Sequence, residues 1–291
     1  MSAPVTLSAA LVKSWLPARP EDGHKGTFGK VCILAGSEGY TGAPVLAARA
    51  AVRSGTGLVF LLVPRCIYPI IAVKCDEAMP SPLPCAGKTC SAEAFGEALE
   101  RMSGCDAVLL GPGLGRSEEQ DQLILSLLGA LTLPLVLDAD GLNAVSRHRI
   151  EAEPSLGPRC ILTPHDGEFH RLLGRWPGED RVAAAQELSR TFGGAVSVLK
   201  GHRTIITDGA ETYVNPTGNA GMAKGGSGDV LSGLIVSLLG QGMPPLRAAA
   251  AAVWLHGSAG DLCAAELGQR AMAPSDLIAH LPAVLKPLET P

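Results

Sequence analysis

Residues 215–233, NPTGNAGMAKGGSGDVLSG, carry the reading of this chain. They form a glycine-dense loop that runs straight into an apolar helix, with one carboxylate, Asp229, at the junction. Gly225, Gly226 and Gly228 allow backbone conformations that side chains resist and let a ligand approach the main chain closely. From Val230 the apolar residues fall at 230, 231, 234, 235, 238 and 239, the stripe of a helix that ends near Gly240. Free N–H groups at a helix start, together with the macrodipole, make an anion site. A potential base beside a bound anion suggests phosphoryl transfer to a hydroxyl. An Asp in a first turn is also favoured by the dipole alone, so the surrounding sequence has to decide.

Upstream, one grammar repeats. KVCILAG (30–36), GLVFLLV (57–63), AVLLGPGLG (107–115), LPLVLDADGLNAV (133–145) and RCILTPHDGEFHRLLG (159–174) are short buried strands. Most lead through a glycine or turn loop into a helical run, and strand–helix–strand units of this kind predict a largely parallel sheet. AVSVLKGHRTIITDG (195–209) reads as a strand ending at Lys200 and a hairpin-like turn into a second strand. Helices are expected at about 118–129, at 245–266 from Pro245, and after Pro274. Residues 1–25 read as a short helical lead-in and a polar loop, and 64–90, with five prolines, as loop or hairpin. The loops SEGYTG, GPGLG, DADG, TPHDGE and KGHRT all follow strands. They should therefore converge on the carboxyl edge of the sheet, where open α/β sheets bind ligands.

The 291 residues suit one domain spanning 1–291, with no internal repeat or linker. A formal net charge of −4 and 4% aromatics offer neither a basic field nor stacking platforms for nucleic acid. No apolar run is long enough to span a membrane, and no basic–apolar leader is read at the start. Eight cysteines without a CxxC fit a reduced, cytoplasmic protein. Cys85 and Cys90 are the only close pair, with a metal or redox role left open. P-loop, serine-hydrolase and zinc-peptidase motifs are absent.

Several polar residues carry two readings each. Lys200 either meets a phosphate or snorkels to water. Asp138 and Asp140 either hold Mg²⁺ or, for Asp138, tie down the neighbouring loop. His165 either faces a pocket or bonds the backbone at a helix entry, which Glu168 could also do.

Taken together, KVCILAGSEGYTGAPVLAARAAVRSGTGLV, LLGPGLG, VLDADGLNAV, LTPHDGEF, VLKGHRTIITDG, YVNPTGNAGMAKGGSGDVLSGLI and WLHGSAGD closely resemble the ADP/ATP-dependent NAD(P)H-hydrate dehydratases over about residues 25–285. The resemblance implies an α/β ribokinase-like three-layer sandwich, with a mostly parallel central sheet and helices on both faces. It also implies dehydration of the (6S)-hydrate of NADH or NADPH at the expense of a nucleotide. The pattern looks bacterial, which points to ADP rather than ATP.

By the same resemblance Asp229 is catalytic, and the hydrate is contacted around Ala43, Gly113, His165 and Asp229. The nucleotide is held by Lys200, Gly201, His202, Arg203 and Thr204 and by Gly228, with Gly225, Gly226 and Ser227 completing the phosphate loop. Mg²⁺ is expected with its ligands unassigned, as are a homotetramer and cooperation with a separate NAD(P)H-hydrate epimerase, for which the length leaves no room. Because phosphoryl-transfer transition states are loose, the proton can leave late and a carboxylate of ordinary basicity at Asp229 suffices. The chain departs from the family pattern at Ala220, Lys224, Ser227 and Asp166, and Lys224 either touches a phosphate or faces solvent. The competing reading is a small-molecule alcohol kinase of the same fold, which would release a stable phosphate ester. A nucleotide sensor or a structural protein has less support, since neither needs a base at Asp229.

Overall fold

Along β2 (Lys30–Leu34) every residue after the first is buried, and alternation divides them between two cores. Val31 and Ile33 enter one apolar cluster, Cys32 and Leu34 the other. A strand buried on both faces belongs to a parallel sheet covered by helices on each side. The computed structural model has that architecture; it describes residues 3–149 and 156–289. Residues 1–2, 150–155 and 290–291 of the expected span lie outside the described residues.

The strands are β1 (Val5–Thr6), β2, β3 (Leu58–Pro64), β4 (Met79–Leu83), β5 (Cys85–Ala86), β6 (Thr89–Cys90), β7 (Ala107–Leu110), β8 (Leu135–Leu137), β9 (Cys160–Leu162), β10 (Val196–Leu199), β11 (Ile205–Thr207) and β12 (Thr212–Val214). Ten of them form one sheet in the order β1-β12-β11-β10-β9-β8-β7-β2-β3-β4. Antiparallel pairing is confined to β10–β11 and β11–β12, the hairpin-like turn expected after Lys200 and the strand that follows it. All other neighbours in this sheet are parallel. The order reverses between β2 and β7, the kind of switch point at whose carboxyl ends open α/β sheets bind ligands.

One face carries the helices Gly42–Arg53, Ser227–Gly240, Pro245–Leu267 and Pro274–Leu285. The other carries Phe95–Ser103, Glu118–Ala130, Asp140–Arg147, Asp166–Leu173 and Arg181–Thr191. Helix Ser227–Gly240 is buried along almost its whole length, because it lies between the sheet and the neighbouring helices of its layer. It ends where the apolar stripe does.

Two stretches differ from the sequence reading. The lead-in contains β1, which adds to β12 in parallel, ahead of its short helix Ala9–Lys13. The proline-rich stretch folds as helix Tyr68–Lys74, edge strand β4 and the small hairpin β5–β6. Prolines obscured β4 because they cannot donate to a ladder. Here Arg65 N–H donates to the Leu83 carbonyl at 2.9 Å, so Leu83 faces β3. Pro80 and Pro82, offset from Leu83 by odd steps, turn their nitrogens away from the ladder.

The closest packing in the helical layer joins Gly42–Arg53 to Ser227–Gly240. A Cβ on Gly233 would lie 2.3 Å from the Ala47 carbonyl oxygen, a backbone atom that cannot swing aside. Gly233→Ala should therefore cost about 1–3 kcal/mol of stability through overpacking. Urea unfolding of the variant checks this, and an unchanged midpoint would refute it.

Candidate active site

At the glycine loop the chain must turn sharply into the helix. Gly226 is the N-cap with φ +101°, a left-handed conformation that a side chain would strain. Ser227, Gly228 and Asp229 form the first turn, with no side chain capping it. The Ser227 N–H donates to the Lys224 carbonyl at 3.3 Å, while those of Gly228 and Asp229 remain available to an anion. This turn lines a cavity of about 760 Å³ whose other walls come from Asp138–Ala139, His165, Glu168 and Lys200–Thr204. The loops after β8, β9 and β10 thus meet the helix start on one edge, as their positions after strands require.

Lys200 joins these loops. Its Nζ is 3.0 Å from Asp138 Oδ1 and 3.7 Å from Glu168 Oε2, and both carboxylates are almost fully buried. Burial alone would push the ammonium's pKa down; Asp138 and Glu168 outweigh it and hold the pKa above the ordinary lysine value. Lys200 therefore does not snorkel to water. Asp138 also accepts from Thr163 Oγ1 at 2.7 Å, so it does tie down its neighbour. Its Oδ2 is turned toward Gly228, 3.9 Å from where a Cβ on that residue would lie. The turn that presents Asp138 is strained: Ala139 has φ +47°, which for a non-glycine residue points to a constraint worth its cost.

Asp229 has an environment that the sequence does not reveal. Burial, and then the charge of Asp138, raise its carboxyl to about 7; Lys200 opposes the rise and Asp140 adds to it. Among several carboxylates it is held close to neutrality, a pKa suited to general base work near pH 7. This is more basicity than the transfer requires, and sequence spacing does not reveal it, since it depends on Asp138 and Asp229 sharing one pocket.

His165 is a helix-entry residue and also lines the cavity. Its Nδ1 accepts from the Gly167 and Glu168 N–H groups, while Glu168 Oε2 accepts from the His165 N–H at 2.9 Å, completing a capping box. An accepting Nδ1 leaves the proton on Nε2.

Ala43 and Gly113 lie elsewhere. They meet at the β2–β7 reversal, where a Cβ on Gly113 would come within 2.9 Å of Ala43 Cβ, and neither lines the main cavity. Ser37 Oγ donates to the Gly113 carbonyl at 2.8 Å, and the Gly115 N–H donates to Asp140 Oδ2 at 2.9 Å. Asp140, two residues from Asp138, thus connects this switch point to the cavity.

Lys200, Gly201, His202, Arg203, Thr204, Gly225, Gly226, Ser227 and Gly228 all line the cavity. Lys224 lines it too, but its Nζ donates to the carbonyls of Arg270 and Met272. It is exposed and pins the loop. The sequence reading missed His256, although it quoted WLHGSAGD. That imidazole lines the cavity, is almost fully buried, and is pushed down to about 4 by burial. Cys85 and Cys90 face each other across the β5–β6 hairpin as free thiols. Among the described residues no group of three His, Cys, Asp or Glu side chains could hold a metal.

A family model described as NAD(P)H-hydrate dehydratase matches residues 31–283. A bifunctional NAD(P)H-hydrate repair enzyme of Moorella thermoacetica is 46% identical over 97% of the chain, which spans only 54% of that relative. The chain thus spans about half the length of the bifunctional relatives it matches. An ADP-dependent (S)-NAD(P)H-hydrate dehydratase of Neisseria meningitidis serogroup B is 40% identical, with 84% of this chain and 80% of that one aligned. Among solved structures, the ADP/ATP-dependent NAD(P)H-hydrate dehydratase of Bacillus subtilis, co-crystallised with ATP/Mg²⁺, superposes with a TM-score of 0.81 at 31% identity over 98% and 99% of the two chains. A ribokinase-like superfamily protein of Enterococcus faecalis gives 0.87 at 28% identity over 99% and 97%.

The raised Asp229 carboxyl has a consequence for stability. Its folded pKa of about 7 lies above the 3.8 of an ordinary aspartate, so the folded state binds the proton more tightly. Stability from this group is complete at the acid end and declines as pH rises from about 4 to 7. Asp229→Asn removes the decline, so its melting temperature should exceed wild type at pH 8 and approach it at pH 4. Parallel melting curves across that range would refute the assignment.

Proposed function

The chain belongs to the NAD(P)H-hydrate dehydratase family, with its ribokinase-like fold, and on that basis we propose that it performs the ADP-dependent dehydration of the (6S)-hydrates of NADH and NADPH. One observation carries this reading. A carboxylate poised near neutrality stands in the first turn of a helix whose free N–H groups share a cavity with the segment Lys200–Thr204. ADP lies along that segment, and its terminal phosphoryl group sits at the glycine loop, on the free N–H groups of Gly228 and Asp229. The hydrate ring reaches Asp229 from the Ala43–Gly113 switch point, with His165 at the boundary.

Asp229 accepts the proton of the hydrate's C6 hydroxyl as that oxygen attacks the terminal phosphorus. AMP leaves, and the hydroxyl has become a phosphate ester. Electron density from the ring nitrogen expels phosphate from C6, a proton leaves C5, and the C5=C6 bond of the dihydronicotinamide is restored. Ribokinase-like alcohol kinases stop at the ester; here the ring nitrogen makes the ester a leaving group.

Mg²⁺ fits the donor set as a nucleotide-borne ion. An ion that keeps its waters and rides on phosphates needs one or two carboxylates, not a protein cage. Asp138, with Oδ1 engaged by Lys200 and Thr163 and Oδ2 turned toward Gly228, would serve. Bound there, Mg²⁺ would neutralise the phosphoryl oxygens. We further propose a cytoplasmic homotetramer working alongside an NAD(P)H-hydrate epimerase. The absence of any membrane-spanning helix among the described residues is compatible with this.

The test is dihydronicotinamide absorbance with purified protein, Mg²⁺ and NADH hydrate, with ADP or ATP supplied separately. A nucleotide-dependent rise with stoichiometric phosphate is expected, and ADP should be the better donor. Its rate should climb with pH through about 7 as Asp229 ionises. Asp229→Asn should lower turnover by about 100-fold or more while ADP affinity stays within a few-fold. Nucleotide binding without any rise in absorbance would instead favour the alcohol-kinase reading.

A further inference from the structure

Segment Lys200–Thr204 is exposed from Gly201 to Arg203; its turn is closed by Thr204 Oγ1 donating to the Gly201 carbonyl at 3.0 Å, and its far end is held by the Asn215 N–H donating to the Thr204 carbonyl at 3.0 Å. The root fixes its near end, the one that joins it to the His165 loop. The Lys200 N–H donates to the Pro164 carbonyl at 2.9 Å. The Lys200 carbonyl accepts from Arg181 Nη2, also at 2.9 Å. Arg181 Nη1 in turn lies 2.8 Å from Asp166 Oδ1. Pro164, His165 and Asp166 are consecutive, so one loop holds both ends of the Lys200 residue, once directly and once through a guanidinium. Arg181 opens helix Arg181–Thr191, whose N-cap Asp180 accepts from the Ala183 N–H at 2.9 Å, so its base is anchored. The guanidinium also lies over Gly201: a Cβ there would be 2.8 Å from Nη2. Neither Asp166 nor Arg181 lines the cavity.

We infer that Asp166 and Arg181 are positioning residues: a bridge outside the cavity that sets the nucleotide segment relative to the loop carrying His165. Nothing reacts at the bridge. It works through the Lys200 carbonyl, and it links the two subsites because each loop holds one end of it. The forked donor geometry matters, since one nitrogen must reach a carbonyl while another holds a carboxylate; lysine cannot do both. The inference rests on the proposal that Lys200–Thr204 receives ADP.

The competing account treats Arg181 as a positive charge near the phosphates. The two accounts predict opposite signs at Asp166. If only charge mattered, Asp166→Asn would remove an anion near a phosphate site and tighten ADP binding. If the bridge matters, the same change frees Arg181 and weakens it.

The measurement is calorimetric titration of the full chain with ADP and Mg²⁺. Asp166→Asn and Arg181→Lys should each raise Kd by roughly fivefold, and the double variant should be no weaker than the worse single, as for two members of one interaction. Asp166→Glu should recover most of the loss. In turnover, the nucleotide KM should rise in step while kcat holds, a split that general loosening of the fold would not give. Should Arg181→Lys fail to fold, Asp166→Asn, on a side chain 48% exposed, carries the test alone. Unchanged or tighter ADP binding by Asp166→Asn, or additive losses in the double variant, would overturn the inference while wild-type binding upheld the functional reading. Failure of the wild-type protein to bind ADP would overturn both.

Discussion

The pairing of the Lys200 ammonium with Asp138, at 3.0 Å, and with Glu168, at 3.7 Å, is the interaction on which the rest of the site depends. Moving ions out of water is expensive, and only close partners and further hydrogen bonds make a buried cluster tolerable. This one is furnished with both. Asp138 accepts from Thr163, Glu168 accepts from the His165 N–H, and the three side chains come from the ends of β10, β8 and the helix after β9. The cluster therefore registers adjacent strand ends against one another. It also sets the field felt by Asp229, since Asp138 opposes ionisation of that carboxyl and Lys200 favours it.

This arrangement gives each of three nearby carboxylates a distinct task. Asp138 has a cation beside it, Glu168 is occupied by a capping box and the same cation, and Asp229 alone carries the electrostatic burden of its neighbours. Groups of one chemical type become different reagents through their surroundings. A helix start with free N–H groups then stands beside the one carboxylate poised to take a proton.

Much of this was legible in the sequence because it depends on local pattern. The helix from Ser227 to Gly240 follows from its apolar stripe and the glycines before it, and the strands β2, β3, β7 and β8 from short buried runs. The convergence of their loops follows from parallel topology. What stayed hidden depends on long-range placement. The elevated Asp229 carboxyl requires knowing that residues 138, 140 and 229 are neighbours. The Arg181 bridge joins positions 166, 181 and 200, which no spacing rule relates. Edge strand β4 was hidden for a different reason: its prolines argue against a strand unless their nitrogens are known to point away from β3.

That last detail bears on how molecules of this protein meet. The outer edge of β4 offers a neighbouring chain no N–H donor at Pro80 or Pro82, so a foreign strand would find only acceptors there. At the opposite edge β1 is two residues long, too short to template an addition. Natural sheets blunt their edges in these ways. Both borders of this ten-stranded sheet are therefore closed to strand exchange and fibre-like stacking, and orderly assembly has to proceed through its helical faces and loops.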